Sequence, residues 1–126
     1  MKEEVAKLIE KADHALEVAQ ELFKNGYRAD AASKTYYAMF YAAQALLKAH
    51  EIDVIKHSAV ESALGYYFIK TNKMDPQFHK MLISARKVRE IVDYDIQEEI
   101  VEPQINLTIE NGKLFVKEIK LFLQIR

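Results

Sequence analysis

From Thr35 to Leu47 the chain carries no charged residue, and this run constrains the fold more than any other feature. It sits in a longer segment, starting near Arg28 or Ala29 and ending at His50, that reads AASKTYYAMFYAAQALLKAH and is expected to be helical. Between Lys34 and Lys48 such a helix has hardly a polar side. A helix apolar all round must be surrounded, by its own bundle or by another copy of the chain. Its alanines let neighbouring helices approach closely. Each of Tyr36, Tyr37 and Tyr41 needs a hydrogen-bond partner if its phenol is buried. The run falls short of the roughly 20 apolar residues needed to cross a bilayer, so no membrane span is expected.

The remaining segments supply matching apolar stripes. Val5, Leu8, Ile9, Ala12, Leu16, Ala19, Leu22 and Phe23 recur at spacings of three and four, one face of a first helix. Asn25-Gly26 closes it, because glycine reaches the left-handed conformation that a helix end favours. Ser58-x-x-Glu61 reads as a capping box opening a third helix with the stripe Val60, Ala63, Leu64, Tyr67 and Phe68, ending at Thr71-Asn72. Asp75-Pro76 reads as a cap and first-turn proline for a fourth, followed by Phe78, Met81, Leu82, Ala85, Val88 and Val92. The last segment is ambiguous. Alternating Ile105, Leu107 and Ile109 before Asn111-Gly112 is a hairpin signal. Pro103 with Ile105, Ile109, Gly112, Phe115, Ile119 and Phe122 is a helical one. An isolated hairpin gains little, so residues 104–118 are read as helix, with Gly112 on the buried face at a close crossing.

The expected fold class is therefore all-α: an up-down bundle of about five helices around a hydrophobic second helix. The 126 residues suit one domain, 1–126, able to bury roughly two-thirds of its unfolded surface. The formal net charge of −1 excludes gripping nucleic acid by bulk charge, so any RNA contact has to be local. The absence of cysteine excludes a disulfide framework, a thiol nucleophile and a zinc ribbon together. The N-terminus opens straight into a charged amphipathic pattern rather than a signal peptide, and a cytoplasmic location is expected.

Searches for a glycine-rich phosphate loop, G-x-S-x-G and H-E-x-x-H find nothing. None of His14, His50, His57 or His79 follows a glutamate by three residues, which removes a di-iron bundle. The densest polar group is His79, Arg86, Arg89, Glu90 and Asp93, followed by Tyr94. At 100° per residue, Arg86, Arg89 and Asp93 share a stripe beside the apolar face, with His79 two turns away. The spacing permits Arg86–Glu90 and Arg89–Asp93 surface ion pairs, each worth well under ~1 kcal/mol. It equally permits a guanidinium site for phosphate, since arginine offers a planar fork of donors. Lys56-His57 fits either an addition to that site or a helix cap.

Three stretches together resemble the HEPN domain family, in its small single-domain prokaryotic branch. They are Ala32-Ser-Lys-Thr-Tyr-Tyr-Ala-Met-Phe-Tyr-Ala-Ala43, Lys56-His57-Ser58 and Arg89-Glu-Ile-Val-Asp-Tyr-Asp95. The resemblance implies a bundle of about five helices that often dimerises and is frequently paired with a minimal nucleotidyltransferase. Many members are metal-independent ribonucleases of toxin–antitoxin or RNA-processing systems, with an arginine and a histidine separated by four to six residues. Arg89 matches that arginine. Tyr94, Asp95 and Ile96 occupy the three places open to the histidine, and Ile96 also stands where regulated members carry an adenylylated tyrosine. Tyrosine, with a pKa near ~10, is a poor general base at neutral pH.

The resemblance thus implies a binding module, a homodimer acting with a minimal nucleotidyltransferase. It would contact a nucleotide or RNA phosphate through Arg86, Arg89 and His57, with no cofactor and no metal. The alternative is an RNA-cleaving toxin using Arg89, Asp93 and Tyr94. A third reading is a structural helical adaptor whose charges form surface ion pairs.

Overall fold

In the computed structural model, which describes residues 2–95 and 102–124, the uncharged run lies inside α2 (Arg28–Ala49) and the other helices close around it. They are α1 (Glu3–Lys24), α3 (His57–Leu64), α4 (Pro76–Tyr94) and α5 (Glu102–Phe122), and every one of them packs on α2. The family-like expectation of an all-α bundle of five helices holds, and among the described residues there is no strand. Ala38, Met39, Ala42, Ala43, Ala45, Leu46 and Leu47 are sealed from solvent. The girth of α2 is not uniform, however. Lys34, Tyr37, Tyr41, Gln44 and Lys48, spaced by threes and fours, form a half-buried outer stripe. Two of the three tyrosines lie on it, while Tyr36 points inward and is 1% exposed.

Local chemistry sets most boundaries. Gly26 sits at φ 89°, and Gly26 and Tyr27 donate their amides to the Phe23 and Leu22 carbonyls, ending α1 in a left-handed turn. Asp75 accepts from the Gln77 amide at 2.9 Å, with Pro76 in the first turn of α4. The segment ambiguous in sequence is the helix α5, where Ile105, Ile109, Phe115 and Ile119 are buried with Gly112.

Two expectations about the third helix fail. Lys56 precedes its first turn and no side chain caps it, so Ser58 and Glu61 do not form a capping box. Glu61 is drawn instead to Arg86 on α4, because a charge-assisted bond to a guanidinium outcompetes a backbone amide. The helix also stops early, at Leu64, and continues as one π turn over Gly65–Ile69, with the Lys70 amide donating to the Gly65 carbonyl. The extra residue per turn shifts the stripe. Phe68 remains in the core and Tyr67 is turned to solvent.

At Gly112 a Cβ would overlap the Thr35 Cγ2 methyl of α2, so α5 crosses at a distance only glycine allows. Thr35 is itself held, its hydroxyl donating to the Ala31 carbonyl at 2.8 Å. Helix propensity alone would favour alanine at 112 by about 1 kcal/mol. Gly112→Ala is nevertheless expected to destabilise the protein by ~1–3 kcal/mol in urea unfolding, because the crossing is already full. Thr35→Ser, which removes only that methyl, should recover most of the loss in the double variant. A neutral or stabilising Gly112→Ala would show that the crossing is not tight.

Candidate functional site

The apolar face of α4, Leu82, Ala85 and Val88, is buried against the bundle. This registers Arg86 and Arg89 along the border of that face, opposite the start of α3. Between the two helices is a cleft of about 430 Å³, lined by His57, Ser58, Glu61 and Ser62 from α3 and by Arg86, Arg89 and Glu90 from α4. Behind it stand α2 aromatics: the His57 ring stacks on Phe40 with centroids 4.1 Å apart, and Tyr36 and Tyr37 lie within 6 Å of the same ring.

The two arginines differ in their partners. Arg86 donates from Nε to Glu61 at 2.8 Å and from Nη1 to Glu90 at 2.9 Å. Its pKa is raised, first by the bond to Glu61 and then by that to Glu90. Arg86 therefore ties α3 to α4 and fixes one wall of the cleft. Arg89 has no carboxylate partner among the described residues. Its guanidinium carbon lies 5.3 Å from the Tyr36 ring centroid, 5.7 Å from Tyr37 and 5.6 Å from Tyr94. Cation–π attraction is worth ~0.5–2 kcal/mol per desolvated contact, which holds the charge in place without neutralising it. The Arg89 Nε–H is buried and finds no acceptor among the described residues.

His57 is the histidine that tertiary structure brings to this charge. Its Nδ1 is 2.6 Å from the Tyr36 hydroxyl. Burial lowers its pKa, the neighbouring Arg89 charge lowers it further, and Glu61 opposes both. Burial likewise pushes the Tyr36 phenol up to about 12 although Arg89 pulls the other way. The imidazole is thus neutral and the phenol protonated at neutral pH.

The other sequence-selected residues fall differently. Of the two i,i+4 ion pairs that the spacing permits, Arg86–Glu90 forms and Arg89–Asp93 does not: Asp93 accepts from Ser33 of α2 at 3.0 Å. Tyr94, 72% exposed, brings its hydroxyl only to 3.5 Å from Arg89 Nη1. His79 turns away from the cleft and meets the Glu61 carbonyl through Nε2 at 2.9 Å, against the bare Gly65. Ile96 lies outside the described residues. Sequence reasoning missed Glu61 and Tyr36 as parts of the site; each had been assigned elsewhere, to a cap and to the core. Among the described residues no three acidic or histidine side chains cluster as for a metal ion, and no helix is long and apolar enough to cross a membrane.

A family model described as the HEPN domain matches residues 5–125. Two Methanocaldococcus jannaschii proteins, each described as a "putative toxin", are similar over nearly the whole chain. One is 36% identical over 122 residues, covering 97% of this chain and 83% of the relative. The other is 30% identical over 124 residues, covering 98% and 92%. A Pyrococcus horikoshii protein described as a UPF0332 protein is 33% identical over 120 residues, covering 95% and 84%.

The lowered pKa of His57 has a direct consequence for stability. An unfolded chain binds a proton at this residue near pH ~6.5, whereas the folded chain does so only at lower pH. Its contribution is complete above pH ~6.5 and is lost as the pH falls through the folded value. Thermal melts taken from neutral pH into mild acid should show a falling Tm, and His57→Gln, which does not titrate, should flatten that fall. An identical slope in wild type and variant would remove His57 as its source.

Proposed function

Because the chain belongs to the HEPN domain family, we propose that it is a binding module acting with a minimal nucleotidyltransferase in a toxin–antitoxin-like pair, its α3–α4 cleft receiving a nucleotide or RNA phosphate. Residues 1–126 form the one HEPN domain of a homodimer in this reading, working in the cytoplasm. The observation that carries it is the state of Arg89, a guanidinium held over three aromatic rings at the edge of a cleft, with no carboxylate among the described residues to quench it. Phosphate matches such a planar fork of donors. The description of the two archaeal relatives as toxins supports the toxin–antitoxin setting.

The same geometry favours binding over RNA cleavage by Arg89, Asp93 and Tyr94. Asp93 already receives the Ser33 hydroxyl. Tyr94 stands largely in solvent, its hydroxyl at the limit of hydrogen-bond distance from Arg89. The contact between Arg89 and Tyr94 is the observation on the side of cleavage. Expression of the chain alone separates the two readings. Growth arrest with fragmented RNA that disappears in Arg89→Ala would establish the enzyme.

A fluorescently labelled single-stranded oligoribonucleotide is expected to bind, and Arg89→Ala to weaken it at least about tenfold, the scale of a lost charge-assisted hydrogen bond. Glu90→Gln, which removes a negative charge from the cleft lining, should bind at least as well as wild type. Equal affinity of wild type and Arg89→Ala would overturn the cleft as the contact. Affinity purification of the tagged chain from its own host should recover a nucleotidyltransferase; recovery without one would overturn the pairing.

A further inference from the structure

The contact between Tyr36 and His57 joins a core residue to the cleft and has no role in the core itself. Tyr36 is buried, and among the described residues its hydroxyl has a single polar partner, His57 Nδ1. A buried phenol that keeps its proton has to donate it, and here only Nδ1 can accept. Accepting requires the lone pair on Nδ1, which places the imidazole proton on Nε2. Phe40 stacks on the face of the ring and Tyr37 meets it at 83°, which holds its plane, and the Tyr36 hydroxyl favours the orientation that presents Nδ1 to it.

We infer that Tyr36 locks His57 as a neutral donor whose Nε2–H acts beside Arg89 as a second prong for one phosphodiester group. This rests on the cleft being the phosphate site proposed above. Among the described residues nothing bonds Nε2, and the ring lines the cleft that Arg89 also lines. The groups around the ring favour a donor that does not titrate near neutral pH. Tyr36 of α2 keeps its proton there and Tyr37 of α2 meets the ring edge-on, Arg89 of α4 opposes a further positive charge, and Glu61 of α3, which favours one, is engaged by Arg86 of α4. Protonation at Nδ1 would set two donors against each other in a buried contact, at the expense of one hydrogen bond. Tyr36 is in this sense a positioning residue: it touches no ligand and determines which edge of His57 donates. The same lock makes His57 unsuited to drawing a proton from a ribose hydroxyl, since its outward nitrogen already carries one.

Nitrogen-15 NMR of the free protein tests the lock without any ligand. The expected signal is the Nε2–H tautomer, neutral at pH 7; an Nδ1–H tautomer, or an imidazolium at that pH, overturns the inference. Binding of a single-stranded oligoribonucleotide, whose diester charge is constant across this range, tests the second prong. Affinity should stay level within about twofold between roughly pH 6.5 and 8, whereas a steady decline through that range would show that a charged His57 binds. His57→Gln places an amide nitrogen near the Nε2 position and should retain affinity within about threefold. His57→Asn reaches only the Nδ1 position and should lose roughly tenfold. Equal affinities for wild type and both variants overturn the second prong. An oligoribonucleotide that fails to bind even wild type overturns the phosphate reading of the cleft and this ligand with it, leaving the tautomer to be judged by NMR alone.

Discussion

The need to shield α2 from water governs the rest of the structure. Thirteen successive uncharged positions cannot stand in solvent as a helix, so the chain spends the apolar faces of α1, α3, α4 and α5 on covering them. Coverage is complete on the inner side and incomplete on one narrow stripe, where Tyr37, Tyr41 and Gln44 are half-buried. Small residues decide how closely the cover fits. The alanines of α2 let α1 and α4 approach, and Gly112 lets α5 cross where any side chain would collide with Thr35.

This wrapping also builds the cleft. Tyr36 belongs to the core by burial, yet its ring supports the Arg89 guanidinium and its hydroxyl holds His57. The cleft therefore inherits the rigidity of the core, since neither charged wall can move without disturbing a packed aromatic. Arg86 adds a second restraint by joining α3 to α4 through Glu61 and Glu90. Two arginines three residues apart thus take opposite parts. One is consumed in holding the helices together, and the other, with no carboxylate partner among the described residues, lies in an aromatic setting that attracts charge without cancelling it.

Chemically, the cleft is rich in donors. Arg89 brings a fork, His57 a ring N–H, and Ser58 and Ser62 hydroxyls line the same walls, while the nearby carboxylates Glu61 and Glu90 are engaged by Arg86. Such a set suits an anionic oxygen, and this supports binding as the proposed role of this member of the HEPN family. The chain's near-zero net charge fits the same picture: attraction is confined to one cleft and does not extend over the surface.

Periodicity alone determined the helical class, the caps at Gly26 and Asp75, the helical nature of the last segment and the burial of Gly112, because these follow from interactions within a few residues of each other. It also brought Arg86, Arg89 and His57 to notice. Only the tertiary structure decided their partners. The spacing of Ser58 and Glu61 is identical in a capping box and in the observed fold, and the difference lies in a guanidinium 25 residues further along. The π turn at Gly65 was equally silent, and so was the close approach of His79 from α4 to that glycine. Likewise, nothing local marks Tyr36 as the residue that orients His57, 21 positions away. A side chain's helical face is written in its near neighbours; what it touches across the bundle depends on how whole helices pack, and that is set by every contact at once.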